Sequence, residues 1–350
     1  MSGRYLIRRT ALSRLANGWI SQKTASVIIN LNSARCFSVT SSKNMKILQF
    51  TRTAECPCEV RVGYLVDEKR VVDINRVDPS LPQTLLKILQ KNKLEQVLNL
   101  PSTKPASIPL EDVRVLAPIT GMDKVLCVGL NYKDHCQEQN LEPPAVPMIF
   151  NKFPSTIVGP TEPVKLRTDV TQVRSLTYIF NLNPLFFQKV DYEVELVVVI
   201  GKTASSVKAA DAFDYIMGYT IAQDISARDW QKEKNNGQFL LGKSMDGFCP
   251  IGPWITTSDE IGNPENLKIS CSLNGVEKQS SRTDQLVHKI PQLIERISSV
   301  LTLLPGDIIL TGTPGGVGMY RTPPEYLQPG DVLVSEIEKI GALECKFVQN

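Results

Sequence analysis

Three segments of this chain carry side chains whose types and spacing could do chemistry. In Val190-Asp191-Tyr192-Glu193-Val194-Glu195-Leu196-Val197-Val198-Val199-Ile200, acids recur at every second position. Side chains alternate faces along a strand, so Asp191, Glu193 and Glu195 project to one side, about 7 Å apart. Carboxylates at that spacing, next to an apolar run, need compensation once buried, and a divalent cation supplies it. A solvated edge strand shows the same alternation. The uninterrupted apolar run at 196–200 argues instead for an interior strand, and so for metal.

The identity of the ion follows from the side chains that are scarce. The chain has two histidines, His135 and His288, and no cysteine pair at zinc-site spacing. Oxygen-only ligation suits Mg²⁺ or Mn²⁺. A third ligand is suggested by Asp224, where the apolar stretch Tyr219-Thr220-Ile221-Ala222-Gln223 breaks into a polar turn. An aspartate there is also a common helix N-cap.

The second segment is Gly129-Leu130-Asn131-Tyr132-Lys133-Asp134-His135-Cys136-Gln137-Glu138. If it is helical, His135 and Glu138 share a face, and the carboxylate could orient the imidazole as a general base. A surface His–Glu pair has the same spacing. The third segment, Leu310-Thr311-Gly312-Thr313-Pro314-Gly315-Gly316-Val317-Gly318, is a glycine-rich loop that could offer backbone N–H groups to an anion or simply turn the chain. It is not a nucleotide-binding P-loop, since no lysine follows the last glycine.

These groups need elements to position them. Short apolar runs bounded by Gly and Pro predict strands at 46–50, 60–66, 71–74, 125–129, 196–201, 219–223, 267–273, 307–311 and 332–337. Helical spacing is confined to 84–89, 132–139, 208–215 and a longer stretch ending at Leu304, with Pro291 in its first turn. The expectation is a β-dominated α+β protein: a small N-terminal domain and proline-punctuated linker over 45–118, then a larger domain over 119–350.

Residues 1–44 stand apart. They hold seven basic residues and no acid, so the chain's net +3 is a leader at +7 offset by −4 on the remainder. Arginines interleaved with apolar and hydroxyl side chains predict a mitochondrial transit peptide, with a matrix destination. The basicity belongs to the leader, so no nucleic-acid surface is implied, and no apolar run is long enough to span a membrane. The eight cysteines, Cys56-Pro57-Cys58 included, read as free thiols.

Five motifs in this order resemble the fumarylacetoacetate hydrolase superfamily. They are Gly129-Leu-Asn-Tyr132-Lys-Asp-His135, Asp191-Tyr-Glu-Val-Glu195, Asp224-Ile-Ser-Ala-Arg-Asp229, Gly242-Lys243-Ser-Met-Asp246, and Pro305-Gly-Asp307 through Thr311-Gly-Thr-Pro314. The resemblance implies that Glu193, Glu195 and Asp224 ligate Mg²⁺ or Mn²⁺, and that His135 and Glu138 form an acid–base dyad. Lys243 and Thr313 match positions that hold substrate oxygens, Lys243 with a catalytic part, and Lys152 matches a basic position near the pocket. A mixed β-sandwich roll and a homodimer are also implied.

Mitochondrial members of the superfamily make keto–enol tautomerisation of oxaloacetate the expected reaction. Acylpyruvate carbon–carbon hydrolysis and oxaloacetate decarboxylation are alternatives on the same 2-oxo acid scaffold. A non-catalytic variant is a remoter one, because this chain departs from the family pattern by an apolar, aromatic insert near 173–189. That insert feeds directly into the acidic strand and threatens the placement of Glu193.

Overall fold

The computed structural model describes residues 44–53, 59–100, 107–167, 170, 172–174 and 186–350. The leader, Cys56-Pro57-Cys58 and the centre of the insert lie outside these residues. From the N-terminal side come β1 (Lys46–Arg52), β2 (Arg61–Asp67), β3 (Arg70–Asp73), β4 (Ser107–Pro109) and β5 (Val113–Val115). Next are β6 (Val125–Gly129), β7 (Met148–Lys152), β8 (Ile157–Val158), β9 (Val164–Leu166), β10 (Gln172–Arg174), β11 (Phe186–Gln188) and β12 (Val190–Asp191). The remainder supplies β13 (Val194–Ile200), β14 (Ile216–Gln223), β15 (Ser226–Ala227), β16 (Cys249–Thr257), β17 (Lys268–Leu273) and β18 (Val276–Arg282). The last three are β19 (Ile308–Leu310), β20 (Val332–Ile337) and β21 (Gly341–Gln349).

One mixed sheet runs β4-β3-β2-β1-β16-β14-β13-β19-β6-β7, and a second runs β18-β17-β20-β21-β9. Both faces of β13 are covered, which is why its run of Leu, Val and Ile does not alternate with polar residues. Leu196, Val198 and Ile200 enter a core with Ile269, Leu333, Leu343 and Phe347 of the second sheet. Val197 and Val199 enter the opposite core with Ile255, Leu85 and Ile88. This is the expected β-dominated α+β architecture.

Segment 45–118 does not stand apart as a separate body. β1 pairs with β16, Lys46 opposite Thr256, so the N-terminal strands extend the main sheet, and the chain from Ser41 onward is one compact unit. Part of the expected linker is strand as well: β4 pairs with β3, and β5 with β1.

Two helical expectations also change. The stretch over 208–215 is a run of 3₁₀ turns, Ala209–Tyr215. The last helix is Ile290–Ser298, shorter than its apolar spacing predicted, and Val300 and Leu301 are exposed. The chain must reverse there because Leu303 and Ala204 exchange both backbone hydrogen bonds at 2.9 Å.

The insert is closed at its base. β10 and β11 form an antiparallel ladder from Gln172–Gln188 to Arg174–Phe186. Its flanks are tied to one neighbouring turn: Val170 accepts from Trp230 at 3.0 Å, and the Lys189 carbonyl accepts from the Arg228 N–H at 2.9 Å. β12 then pairs with β15, Val190 opposite Ala227 and Asp191 opposite Ser226, which sets the register in which the acidic strand enters. Replacing residues 175–185 with a two-residue Asn-Gly turn should therefore leave the metal-dependent rise in melting temperature unchanged. Loss of that rise would show that the insert itself shapes the site.

Candidate metal centre and active site

Register explains why the acids meet. β13 and β14 are antiparallel with Val194 opposite Gln223, and the Asp224 N–H donates to the Glu193 carbonyl at 2.9 Å. Asp224, at the break in its strand, thus lies beside Glu193 and Glu195 and caps no helix. Ligand oxygens of the three lie within 4.8 Å of one another, and all three residues are buried. Asp191 is not part of the group. The chain breaks between β12 and β13, and Asp191 turns to Arg228 Nε at 2.9 Å and to the N–H groups of Gly318 and Met319.

Three cations meet the acids. Lys243 Nζ lies 2.7 Å from Glu193 and 2.8 Å from Asp224, and Arg228 Nη1 lies 2.7 Å from Glu193. Lys152 Nζ lies 2.5 Å from Asp224 and donates to the Ile225 carbonyl at 3.1 Å. Lys152 is behind the cluster and not on the cavity wall, so in this geometry it holds an acid rather than a substrate. Burial alone would push Glu193 up, but Lys243 and Arg228 more than offset it and bring it to about 2. Burial lowers Lys243, and the attraction of Asp224 and Glu193 outweighs it, to about 12.

Glu195 is the exception. It has no cationic partner among the described residues, and the Gly312 N–H at 2.6 Å is its hydrogen-bond donor. Burial, then repulsion from Asp224 and Glu193, pushes its carboxyl well above the usual range. A buried acid short of one positive charge, with two more carboxylates converging on the same point, fits a hard divalent cation held by oxygens. Glu193, Glu195 and Asp224 would be its protein ligands.

The glycine-rich loop does offer N–H groups to anions, but the anions are the protein's own side chains. Gly312 donates to Glu195, Gly316 to Glu138 at 2.8 Å, and Gly318 to Asp191 at 2.7 Å. Gly312 and Gly316 have φ of 106° and 103°, and a Cβ at Gly316 would strike the Lys278 carbonyl.

The helix Lys133–Glu138 forms as its spacing predicted, and His135 Nδ1 lies 2.9 Å from Glu138 Oε2. Asn131 anchors the entry to that helix by donating to the Thr311 carbonyl at 2.7 Å. With Glu138 accepting from Nδ1, Nε2 carries the imidazole lone pair, and the Gln139 amide nitrogen stands 3.0 Å from it. His288 serves structure: Nε2 lies 2.9 Å from the Pro144 carbonyl.

One cavity joins these groups. Its walls include His135, Glu193, Glu195, Lys243 and Thr313, with Phe150 and Phe239 as apolar sides. Thr313 accepts from Gln279 at 2.8 Å, which leaves its hydroxyl proton for a ligand. Sequence reasoning missed Arg228, Gln231, Gln139 and Tyr320 on this wall. Arg228 was legible within the Asp224–Asp229 motif, whereas Tyr320 and Gln139 had no local signal.

A proton held by Glu195 must leave when a cation binds, so metal affinity should rise with pH and binding should release protons, read by calorimetry in buffers of different ionisation enthalpy. Glu195→Gln keeps the shape of the acid and is neutral without taking up a proton. Its melting temperature without metal should match or exceed wild type, and the rise on adding Mg²⁺ or Mn²⁺ should vanish. An undiminished rise would remove Glu195 from the ligand set.

Residues 124–348 match the fumarylacetoacetate (FAA) hydrolase C-terminal family. The chain is 46% identical over 280 residues to a Bos taurus protein named mitochondrial oxaloacetate tautomerase FAHD2A, covering 79% of this chain and 84% of the relative. Among solved structures, fumarylacetoacetate hydrolase from Exiguobacterium antarcticum aligns with a TM-score of 0.73 at 33% identity, over 87% of this chain and all of that one. Maleylpyruvate hydrolase from Sphingobium sp. SYK-6, in complex with manganese(II) and pyruvate, aligns with a TM-score of 0.67 at 28% identity, over 87% of this chain and 100% of that chain. With that family match over most of the chain and relatives of this identity, the chain belongs to the fumarylacetoacetate hydrolase family.

Proposed function

We propose that the protein is a mitochondrial, Mg²⁺- or Mn²⁺-dependent keto–enol tautomerase acting on oxaloacetate. The observation that carries this reading is the single cavity in which His135 faces the same space as Glu193, Glu195 and Lys243. Relatives named mitochondrial oxaloacetate tautomerases, at 45–48% identity, support the reaction and the compartment. The acid-free leader agrees with import.

Tautomerisation moves one proton between carbon 3 and the oxygen on carbon 2. It needs a proton carrier at the carbon and stabilisation of charge at the oxygen. A divalent ion held by the three acids supplies Lewis acidity toward adjacent carboxylate and 2-oxo oxygens. His135 Nε2 takes the proton after giving up its contact with the Gln139 amide, and Glu138 stabilises the resulting imidazolium through Nδ1. Glu138 in turn is held by the Gly316 N–H, so the base keeps its tautomer and orientation. Lys243 adds a fixed positive charge, and the Thr313 hydroxyl can donate to a substrate oxygen. Phe150 and Phe239, packed edge to face at 5.3 Å, keep one wall dry.

The runner-up is hydrolysis of an acylpyruvate carbon–carbon bond, supported by the hydrolases among the structural neighbours. It requires the same dyad to activate a water at a distal carbonyl. A homodimer is also part of this reading. β7 lies at the end of the main sheet, and Met148, Phe153 and, on the adjacent helix Leu240–Lys243, Leu241 are exposed.

Following the enol absorbance of oxaloacetate should show metal-dependent acceleration of enol–keto exchange, abolished by chelation. His135→Ala should lower that rate by about 10²- to 10⁴-fold while the metal-induced rise in melting temperature survives. Faster cleavage of acetylpyruvate than oxaloacetate exchange would favour the hydrolase. Light scattering should return twice the chain mass, and Met148→Glu with Phe153→Glu should return it once; a wild-type monomer would remove the dimer.

A further inference from the structure

A single π-type turn, Trp230–Lys234, borders the cavity, and its charged side chains have different partners. Lys234 bonds Asp229 at 2.7 Å, and Glu233 takes Lys189 at 3.1 Å. Lys232 has no carboxylate partner among the described residues. Its exposed ammonium donates to the Tyr320 hydroxyl at 2.8 Å and stands 5.1 Å from the centre of that ring. Both Lys232 and Tyr320 line the cavity that holds Glu193 and Glu195.

Charge distribution gives this pair its meaning. The inner cations, Lys152, Lys243 and Arg228, each lie within 2.8 Å of a carboxylate of the cluster, and none is left over for a second anionic group. The only cavity-lining cation not already matched by an acid is Lys232, among the described residues. We propose that the Lys232 ammonium, positioned by the Tyr320 hydroxyl, forms the subsite for the second carboxylate of a dicarboxylic 2-oxo acid, and so sets the preference for diacids over monoacids. This rests on the tautomerase reading, in which the first carboxylate and the 2-oxo group occupy the acid cluster.

The pair is also linked to the base. Tyr320 donates to Gln139 Oε1 at 2.8 Å, the Gln139 amide nitrogen lies 3.0 Å from His135 Nε2, and His135 Nδ1 reaches Glu138. Because Tyr320 holds both Lys232 and the Gln139 amide that stands beside the imidazole, a carboxylate docked on Lys232 is registered to the proton carrier. The carbon between the two carbonyl groups of a four-carbon diacid is the one that must meet His135.

Acetylpyruvate carries a neutral acetyl group where oxaloacetate has its second carboxylate, so it isolates the subsite. In Lys232→Met the ratio of kcat/KM for enol–keto exchange, oxaloacetate over acetylpyruvate, should fall about fivefold, through KM. Lys232→Arg should restore most of it, and Tyr320→Phe should lower it in the same direction. A general structural defect would lower both substrates together and leave the ratio unmoved, which would overturn the proposal. A binding arm separates this inference from the reading beneath it. In the presence of Mn²⁺, calorimetry should show malate binding wild type more tightly than 2-hydroxybutanoate, with the preference lost in Lys232→Met. Absence of a preference, or its survival in the variant, sinks the subsite whether or not the wild type turns over oxaloacetate. A preference without tautomerase turnover keeps the subsite and removes the reaction.

Discussion

Everything in the site follows from holding three carboxylates together away from water. Within 4.8 Å of one another, each pair of these acids would repel by about 3.5 kcal/mol or more at an effective dielectric of 20 if both were ionised. Three such pairs approach the entire stability of an ordinary domain. The fold answers by surrounding the cluster with Lys152, Lys243 and Arg228, yet it leaves Glu195 with a backbone N–H in place of a cation. The imbalance is confined to one side chain that faces the cavity. The shortfall at Glu195 is the charge that a cation held by the three acids would make good.

The glycine-rich loop carries the second half of that design. Its N–H groups terminate on Glu195, Glu138 and Asp191, three acids from different elements. The candidate metal ligand Glu195, the His135 partner Glu138 and the Arg228 partner Asp191 are thereby fixed to a single stretch of backbone. The loop can reach all three because β19 lies between β13 and β6, parallel to the strand that leads into the His135 helix. An error in that loop would displace the base and the acids together, and glycine at 312 and 316 is required by backbone geometry rather than by contact with a ligand.

Much of this was legible in the sequence. The acidic alternation located Glu193 and Glu195, the strand-to-turn break located Asp224, and i to i+3 spacing located the His135–Glu138 pair. Each is a local pattern. What stayed hidden depends on contacts between distant segments. Alternation placed Asp191 with the other acids, because a break of two residues in a strand leaves no mark in periodicity, and the chain turned Asp191 to Arg228 instead. Segment 45–118 read as a separate domain because its strands are short and proline-punctuated. Their pairing with β16 joins residues more than 200 positions apart, beyond any window of sequence. The family motifs bridged part of that distance, and they assigned Lys243 and Thr313, which no spacing argument reached.

The insert shows how a disruptive sequence can be mechanically isolated. Closing a longer loop costs little in entropy, roughly 0.6 kcal/mol for each doubling of length, provided that its ends are held. Here the ends meet in the β10–β11 ladder, and the flanking residues Val170 and Lys189 are tied to the turn after β15. Any strain from the insert is therefore delivered to that turn before it can reach Glu193. The same turn presents Arg228 to Asp191 and Glu193, and Lys232 to the cavity mouth. Arg228 is buried and fixed by two acids, so it resists displacement, whereas Lys232 is exposed and held by one hydroxyl. Lys232 is therefore the member of this turn that a shift at the insert's flanks would move first, and the buried acids, held by Arg228, Lys243 and Lys152, the last.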